Sequence, residues 1–261
     1  MSVIVDLKGG MGNQMFMYAM GRENAARLGT DLILDTASFH NYRHPYSLHQ
    51  WEGVTSPTAV NAGGRIVREK VEGGPYETGT VAEVSDGCRL TGYWLTEKYF
   101  PTVSAALRRE FVPKQMTERA RDLENKIDEH SCFIGVRRGD FVGADTEMKF
   151  DYYRDAAASV AAADPAVHFY VFSDESEWVR NNFRLSHPLT VASTHEVYEK
   201  DGQEAQDIWL MSRCRHAVLS VSTFSWWGAW LRPNAGETIA PRLWIDLNRN
   251  PDVYPAGWRT L

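Results

Sequence analysis

Where the chain reads Cys132-Phe133-Ile134-Gly135-Val136-Arg137-Arg138-Gly139-Asp140, an apolar run of strand character ends in two guanidiniums, a glycine and a carboxylate. In α/β proteins ligands sit in the crevice beyond the carboxyl ends of strands. Two arginines there offer permanently charged planar forks that match phosphate oxygens, so the chemistry expected is the grip of a diphosphate, with Arg137 as its direct ligand. Arg138 either joins that grip or is held by Asp140. A second stretch, Ser222-Thr223-Phe224-Ser225-Trp226-Trp227-Gly228-Ala229-Trp230, puts hydroxyls at a strand-to-helix turn. Such a turn caps the helix and directs backbone N–H groups outward, toward an anion. The plainer alternative is an ordinary N-cap with tryptophans packed in the core. A third loop, Phe172-Ser173-Asp174, ends another strand. A fourth, Lys8-Gly9-Gly10-Met11-Gly12-Asn13-Gln14, is a glycine-rich turn opening a helix. Its spacing is neither G-x-G-x-x-G nor that of a P-loop, which argues against a dinucleotide or ATP.

Those loops need a scaffold, and the hydrophobic pattern supplies one. A strand over 2–7, a helix ending near Leu28 with Gly29 as its cap, and a strand over 31–35 open the chain. A strand follows over 88–95, and then a helix to about Phe111. Beyond a charged helix at 114–130, strands at 132–137, 167–173, 189–193, 216–221 and 237–241 alternate with helices at 151–163, 175–183, 204–214 and 223–231. That alternation predicts a parallel sheet covered on both faces. The architecture expected is two α/β lobes, 1–128 and 129–261, with a cleft between them and a C-terminal tail that packs back on the first lobe. His40, His44 and His49, with Tyr42, Tyr46 and Trp51, are too irregularly spaced for a metal site and read as a surface loop, with the lining of an acceptor pocket left open.

Composition narrows the function classes. A net charge of −6 does not favour nucleic acid or an anionic membrane as partner, so any anion site is a local concentration of cations. Cys88, Cys132 and Cys214 show neither C-x-x-C spacing nor a disulfide framework. No apolar run approaches the roughly 20 residues of a membrane span, and Met1-Ser2-Val3-Ile4-Val5 leads into a strand without a signal peptide's features. A soluble, cytoplasmic protein is expected. Nine tryptophans and eleven tyrosines suit a large core better than a set of sugar platforms, although both use aromatic faces.

Taken together, five blocks resemble a known family. Gly9-Gly10-Met11-Gly12-Asn13-Gln14-Met15-Phe16, Gly92-Tyr93-Trp94-Leu95-Thr96-Glu97-Lys98-Tyr99-Phe100, Arg137-Arg138-Gly139-Asp140-Phe141-Val142, Phe172-Ser173-Asp174 and Ser222-Thr223-Phe224-Ser225-Trp226-Trp227-Gly228-Ala229-Trp230-Leu231 occur in that order. They look like the α-1,2-fucosyltransferases that use GDP-fucose, glycosyltransferase family 11, over nearly the whole chain. The resemblance implies a GT-B-like enzyme of two Rossmann-like lobes that is inverting and needs no metal ion or other cofactor. The absence of any Asp-x-Asp triplet agrees with the last point. It implies that the second lobe holds GDP-fucose through Arg137, Arg138, Asp174, Ser222, Thr223, Phe224 and Ser225. Gly10, Gly12 and Asn13 would then lie near the fucose and the hydroxyl of a galactose-terminated glycan acceptor. Asp140 and Glu97 are the candidate bases, beside the alternative that no side chain serves. One position departs from the pattern: the family usually has His two residues before the first arginine, near the nucleotide base, and this chain has Gly135, with Asp174 left as the candidate acceptor for a guanine N–H pair. Two other readings stay open, a transferase of different linkage or donor and a binding protein that has lost catalysis.

Overall fold

The computed structural model describes residues 2–41, 43–139, 148–193, 203–242, 244 and 250–261; Tyr42 and the expected site residue Asp140 lie outside the described residues. The chain forms two compact units, residues 1–114 with 246–255 and residues 115–245 with 256–261. The charged segment expected at the boundary, which contains the helix at Glu118–Glu124, groups with the second unit.

In the first unit five strands, β1 (Ser2–Asp6), β2 (Asp31–Asp35), β3 (Thr58–Ala59), β4 (Arg65–Arg68) and β5 (Cys88–Thr91), form a sheet in the order β3-β2-β1-β5-β4. Every pairing in it is parallel. Val3 and Val5 of β1 are fully buried, and helix α1 (Met11–Leu28) lies on them. At the contact stands Gly21, where a Cβ would come within 2.4 Å of Val5 Cγ2 and 2.7 Å of Leu32 Cδ1. A side chain there would lift the helix off the sheet. The helix stops where the sequence predicts, because Gly29 adopts a left-handed φ of 62° and donates to the Ala25 and Ala26 carbonyls. Two shorter helices, α2 (Thr78–Ala82) and α3 (Ser104–Glu110), complete this part. The tail residues 250–255 are held on it by Asn250, whose amide donates to the Gly73 and Leu95 carbonyls at 3.0 and 3.1 Å.

In the second unit, after α4 (Glu118–Glu124), six strands run in the order β11-β10-β9-β6-β7-β8, again all parallel. They are β6 (Ser131–Val136), β7 (His168–Ser173), β8 (Leu189–Val191), β9 (His216–Val218), β10 (Thr238–Ala240) and β11 (Arg259–Thr260). Helices α5 (Phe150–Ala163), α6 (Ser176–Asn182), α7 (Glu204–Arg213) and α8 (Thr223–Trp230) connect or follow them. All six residues of the central β6 are buried, the signature of a strand covered on both faces. From β6 the sheet grows through β7 to β8, and then the chain crosses back to lay β9 on the other side of β6. The carboxyl ends of β6 and β9 therefore flank a topological switch point, where connecting loops diverge and leave a crevice. In the first unit the equivalent point lies between β1 and β5.

At the opposite edge of the second sheet, Asp164 ends α5 and joins two histidines that precede or begin strands. His130 Nδ1 lies 3.0 Å from Asp164 Oδ2, and His216 Nε2 lies 3.6 Å from the same oxygen. Asp164 raises the His130 pKa through its hydrogen bond and charge, whereas burial lowers that of His216. The raised His130 pKa means that its stabilisation is complete below its unfolded value of about 6.5 and is lost as pH rises through the folded value. Asp164, lowered first by His130, contributes above about pH 4 and loses its contribution as pH falls through its folded value. We expect His130→Gln to cost the most stability near pH 5 and progressively less toward pH 9. Urea denaturation across that range tests this, and a pH-independent loss would refute it.

Candidate functional site

The crevice at the β6/β9 switch point is lined by Gly135, Val136 and Arg137 from the end of β6, and by Phe172, Ser173 and Asp174 from the end of β7. Asp207 and Met211 of α7 also line it, as do Ser220 and the Ser222, Phe224 and Ser225 side of the turn into α8. Three of the four loops picked out by residue type, those at Arg137, Asp174 and Ser222, thus meet in one pocket. Thr223, between Ser222 and Phe224, is half-buried. The second arginine of the expected pair, Arg138, goes elsewhere.

Arg137 Nη1 forms an ion pair with Asp174 Oδ2 at 2.9 Å, and the Arg138 backbone N–H donates to Asp174 Oδ1 at 3.0 Å. Burial pushes the Asp174 carboxyl above the usual carboxylate range, against the pull of the Arg137 guanidinium and the N–H groups of Arg138 and Asp174 itself. The Arg138 side chain turns onto α6: its guanidinium carbon lies 3.6 Å from the centre of the Trp178 ring, and its Nε donates to Glu175 Oε2 at 3.1 Å. Stacked and paired in this way, Arg138 buttresses the turn.

Ser222 is the N-cap of α8 and accepts from the Phe224 N–H at 3.2 Å. The Ser225 hydroxyl donates to the Ser222 carbonyl at 3.1 Å. The first-turn amides of any helix lack helical carbonyl partners, so the end of α8 presents the pocket with positive potential. The tryptophans that follow are core: Trp226 and Trp227 are fully buried, and Trp226 and Trp230 stack at 6.1 Å with 13° between their planes.

The other expected residues sit in the first unit. Gly10 caps α1 with no side chain, and its carbonyl accepts from Asn13 and Gln14 at 3.0 and 3.1 Å. Gly9 takes a φ of 76°, and a Cβ there would come within 2.6 Å of Asn13 Nδ2. Gly12 is buried in the first turn and Asn13 is half-buried. His44 approaches this turn, 3.6 Å from the position of a Cβ on Gly10. Glu97, half-buried, lies close enough to Arg108 to raise that guanidinium's pKa, although burial lowers it more. Among the described residues no group of three His, Cys, Asp or Glu side chains could hold a metal ion.

Sequence reasoning missed Asp207, Ser220 and Met211. Asp207 is 1% exposed in the pocket wall, and its neighbours Glu204 and Gln206 are also buried. A polar first turn reads as a solvent face, so nothing in the pattern marked it. Gln206 faces away from solvent for another reason: its Oε1 accepts from the Thr117 N–H at 2.6 Å and holds the start of α4.

Solved structures define the class of this fold. Fucosyltransferase NodZ from Bradyrhizobium superposes with a TM-score of 0.56 over 91% of this chain and 94% of that one, at 13% identity. FUT1 of Arabidopsis thaliana gives 0.53 over 92% and 69%, also at 13% identity. The two parallel-sheet units accordingly have the GT-B fold. Residues 83–261, well over half of the chain, match glycosyl transferase family 11, and the chain belongs to that family. An alpha-1,2-colitosyltransferase of Escherichia coli is 27% identical over 98% of this chain and 97% of its own length. Galactoside alpha-(1,2)-fucosyltransferase 1 of Lagothrix lagotricha is 27% identical over 58% of this chain and 44% of its own. Among the described residues no helix is long and apolar enough to cross a membrane.

Gly135, where the family pattern leads one to expect His, has a physical counterpart. A Cβ on Gly135 would lie 2.7 Å from Ser225 Cβ and 3.4 Å from its hydroxyl. The first turn of α8 occupies the space that any side chain at 135 would need. Gly135→Ala should therefore overpack the pocket floor and cost about 1–3 kcal/mol. Adding Ser225→Gly should recover part of that loss, so the double variant is less destabilised than the sum of the two single changes. Urea denaturation of the four proteins measures this coupling.

Proposed function

We propose that this family 11 glycosyltransferase moves L-fucose from GDP-β-L-fucose to the 2-hydroxyl of a terminal galactose, inverting the anomeric centre and using no metal ion. The observation that carries the reading is the convergence of Arg137 and the capped turn of α8 on one pocket at the switch point. In such a displacement positive charge builds on the sugar ring while negative charge builds on the departing β-phosphate. A fixed guanidinium and helix-end amides are donors already oriented toward that negative charge, and they need no reorganisation as the bond breaks. Asp207 lines the same pocket and offers a carboxylate to the N1–H and amino group of a guanine. Gly10, Gly12 and Asn13 are assigned to the sugar and acceptor side, where glycine permits close approach of the backbone.

Two relatives support the linkage and one structure supports the donor. The colitosyltransferase and the fucosyltransferase are both α-1,2 enzymes by name, and NodZ has been solved after soaking with GDP-fucose. A second donor has its own support: the relative that matches across the whole chain transfers colitose. Release of GDP from GDP-fucose and GDP-colitose, each assayed with β-galactoside acceptors, separates the two readings. NMR of the product fixes the linkage. We expect GDP-fucose turnover and an α-1,2 product. Turnover with GDP-colitose alone would replace the donor, and hydrolysis without transfer would remove the acceptor assignment.

Arg137→Lys tests the leaving-group role. An ammonium cannot reproduce the planar fork, and loss of one oriented donor to the developing charge costs about 10²–10³ in turnover. Steady-state kinetics should show that loss chiefly in kcat. Near-normal turnover in this variant would exclude Arg137 as the phosphate ligand.

A further inference from the structure

Gly139 is exposed, and nothing in the core needs its lack of a side chain. Among the described residues, the heavy atoms within 4 Å of a Cβ placed on it are Asp174 Oδ2 at 2.7 Å and Asp174 Cγ at 3.5 Å. The carboxylate thus occupies the space above Gly139. From there one oxygen forms an ion pair with Arg137 Nη1 and the other accepts from the Arg138 N–H. The Asp174 side chain is 7% exposed and that of Arg137 is 20%. The chain beyond Asp174 is held as well: the Glu175 N–H donates to the Ser173 hydroxyl at 3.0 Å, and the Glu175 carboxylate is taken by Arg138.

We propose that Asp174 is a positioning residue: it holds the Arg137 guanidinium in the orientation that receives a nucleoside diphosphate, and Gly139 is present in the turn to admit its carboxylate. This rests on Arg137 being the diphosphate ligand of the reaction above. It assigns Asp174 differently from a base reader, since both of its oxygens are engaged on the phosphate side of the pocket. It also gives the Arg137-Arg138-Gly139 sequence a physical grammar. The first arginine supplies the charge, the second supplies a backbone N–H to the carboxylate and anchors itself on Trp178, and the glycine leaves room for the partner that aims the first. Arg137 and Asp174 come from adjacent parallel strands, in which Val136 of β6 pairs with Ser173 of β7, so the two residues that follow those strands stand side by side.

The test is a double-mutant cycle read by calorimetry with two probes, GDP and inorganic pyrophosphate. Asp174→Asn should weaken both probes by roughly ten- to a hundredfold, the range that coupling between contacting residues spans. Gly139→Ala, which removes no functional group, should weaken them in the same direction by displacing the carboxylate. It also serves if the Asn variant does not fold. In an Arg137→Ala background either change should add less than about threefold, because the group being positioned is gone. Two results overturn the proposal while leaving the diphosphate role of Arg137 intact. One is a loss confined to GDP with pyrophosphate unaffected, which makes Asp174 a reader of the base. The other is a full multiplicative loss on top of Arg137→Ala. If Arg137→Ala itself leaves both affinities unchanged, the diphosphate reading falls first, and this inference with it.

Discussion

The second sheet reverses its direction of growth at β6, and the site depends on that reversal. With β7 and β8 laid on one side and β9 on the other, the chain leaving β6 and the chain leaving β9 cannot close over one another. What fills the gap is set by the register of the strands. Val218, the last residue of β9, pairs with Ile134, so β6 outlasts β9 by the two residues Gly135 and Val136 and reaches its end level with Ser173. Arg137 and Asp174 then emerge together, while the shorter β9 leaves room for Ser220 and the turn into α8 to pack beneath them. A longer β9 would bury that turn, and the end of the helix would face sheet instead of pocket.

The two adjacent arginines just beyond β6 have different fates. Arg137 points toward the pocket and Asp174, and Arg138 toward α6, where Trp178 covers its flat face and Glu175 takes one edge. The electrostatics differ accordingly. The Arg137–Asp174 pair is poorly exposed, and burial raises the acid's pKa despite its partner, so the ionised pair is held against a desolvation cost. Perturbation of this kind marks functional clefts more often than ordinary surface ion pairs. Pairs such as Arg154 with Asp151 and Asp155, more than half exposed, contribute little by comparison.

Much of this arrangement was legible in the chain. The α1 boundaries follow from the glycine turn and from Gly29, and the strand–helix alternation of the second half gave both the parallel sheet and the loops at its carboxyl edge. The short elements were not legible. β3 and β11 have two residues each and carry no period to detect, and α2 is a single turn and a half. Nor was Glu69, which sits in an unremarkable charged stretch yet is 4% exposed and accepts N–H groups from Gly73, Tyr93 and Trp94 at 2.7–3.1 Å. Long-range pairing of a carboxylate with backbone amides leaves no local trace. Asp174 was legible as a residue of the site but not in its partner, because residue type identifies a carboxylate and only register decides which cation stands beside it.

The first unit also builds β2 and β3 out from one side of β1, but it places β5, not β4, on the other side, and its chemistry differs. After β1 the cation is Lys8, not arginine; it lies 4.5 Å from the centre of the Tyr93 ring beyond β5 and pairs with Glu72. Its helix begins at Gly10 with no side-chain cap, whereas α8 begins at Ser222 with one. A single ammonium, already paired, over an aromatic face presents a point charge where the second unit presents a planar guanidinium fork. Opposite it, Glu69 fixes Trp94 at a φ of 58°, a strained conformation for a large side chain that three N–H bonds to one carboxylate can hold. A fully buried tryptophan in that conformation sets the path of the chain from Gly92 through the turn at Glu97. The Gly92–Phe100 block is therefore explained as a rigid support for the edge of the first sheet, with Tyr93 as the member that faces Lys8.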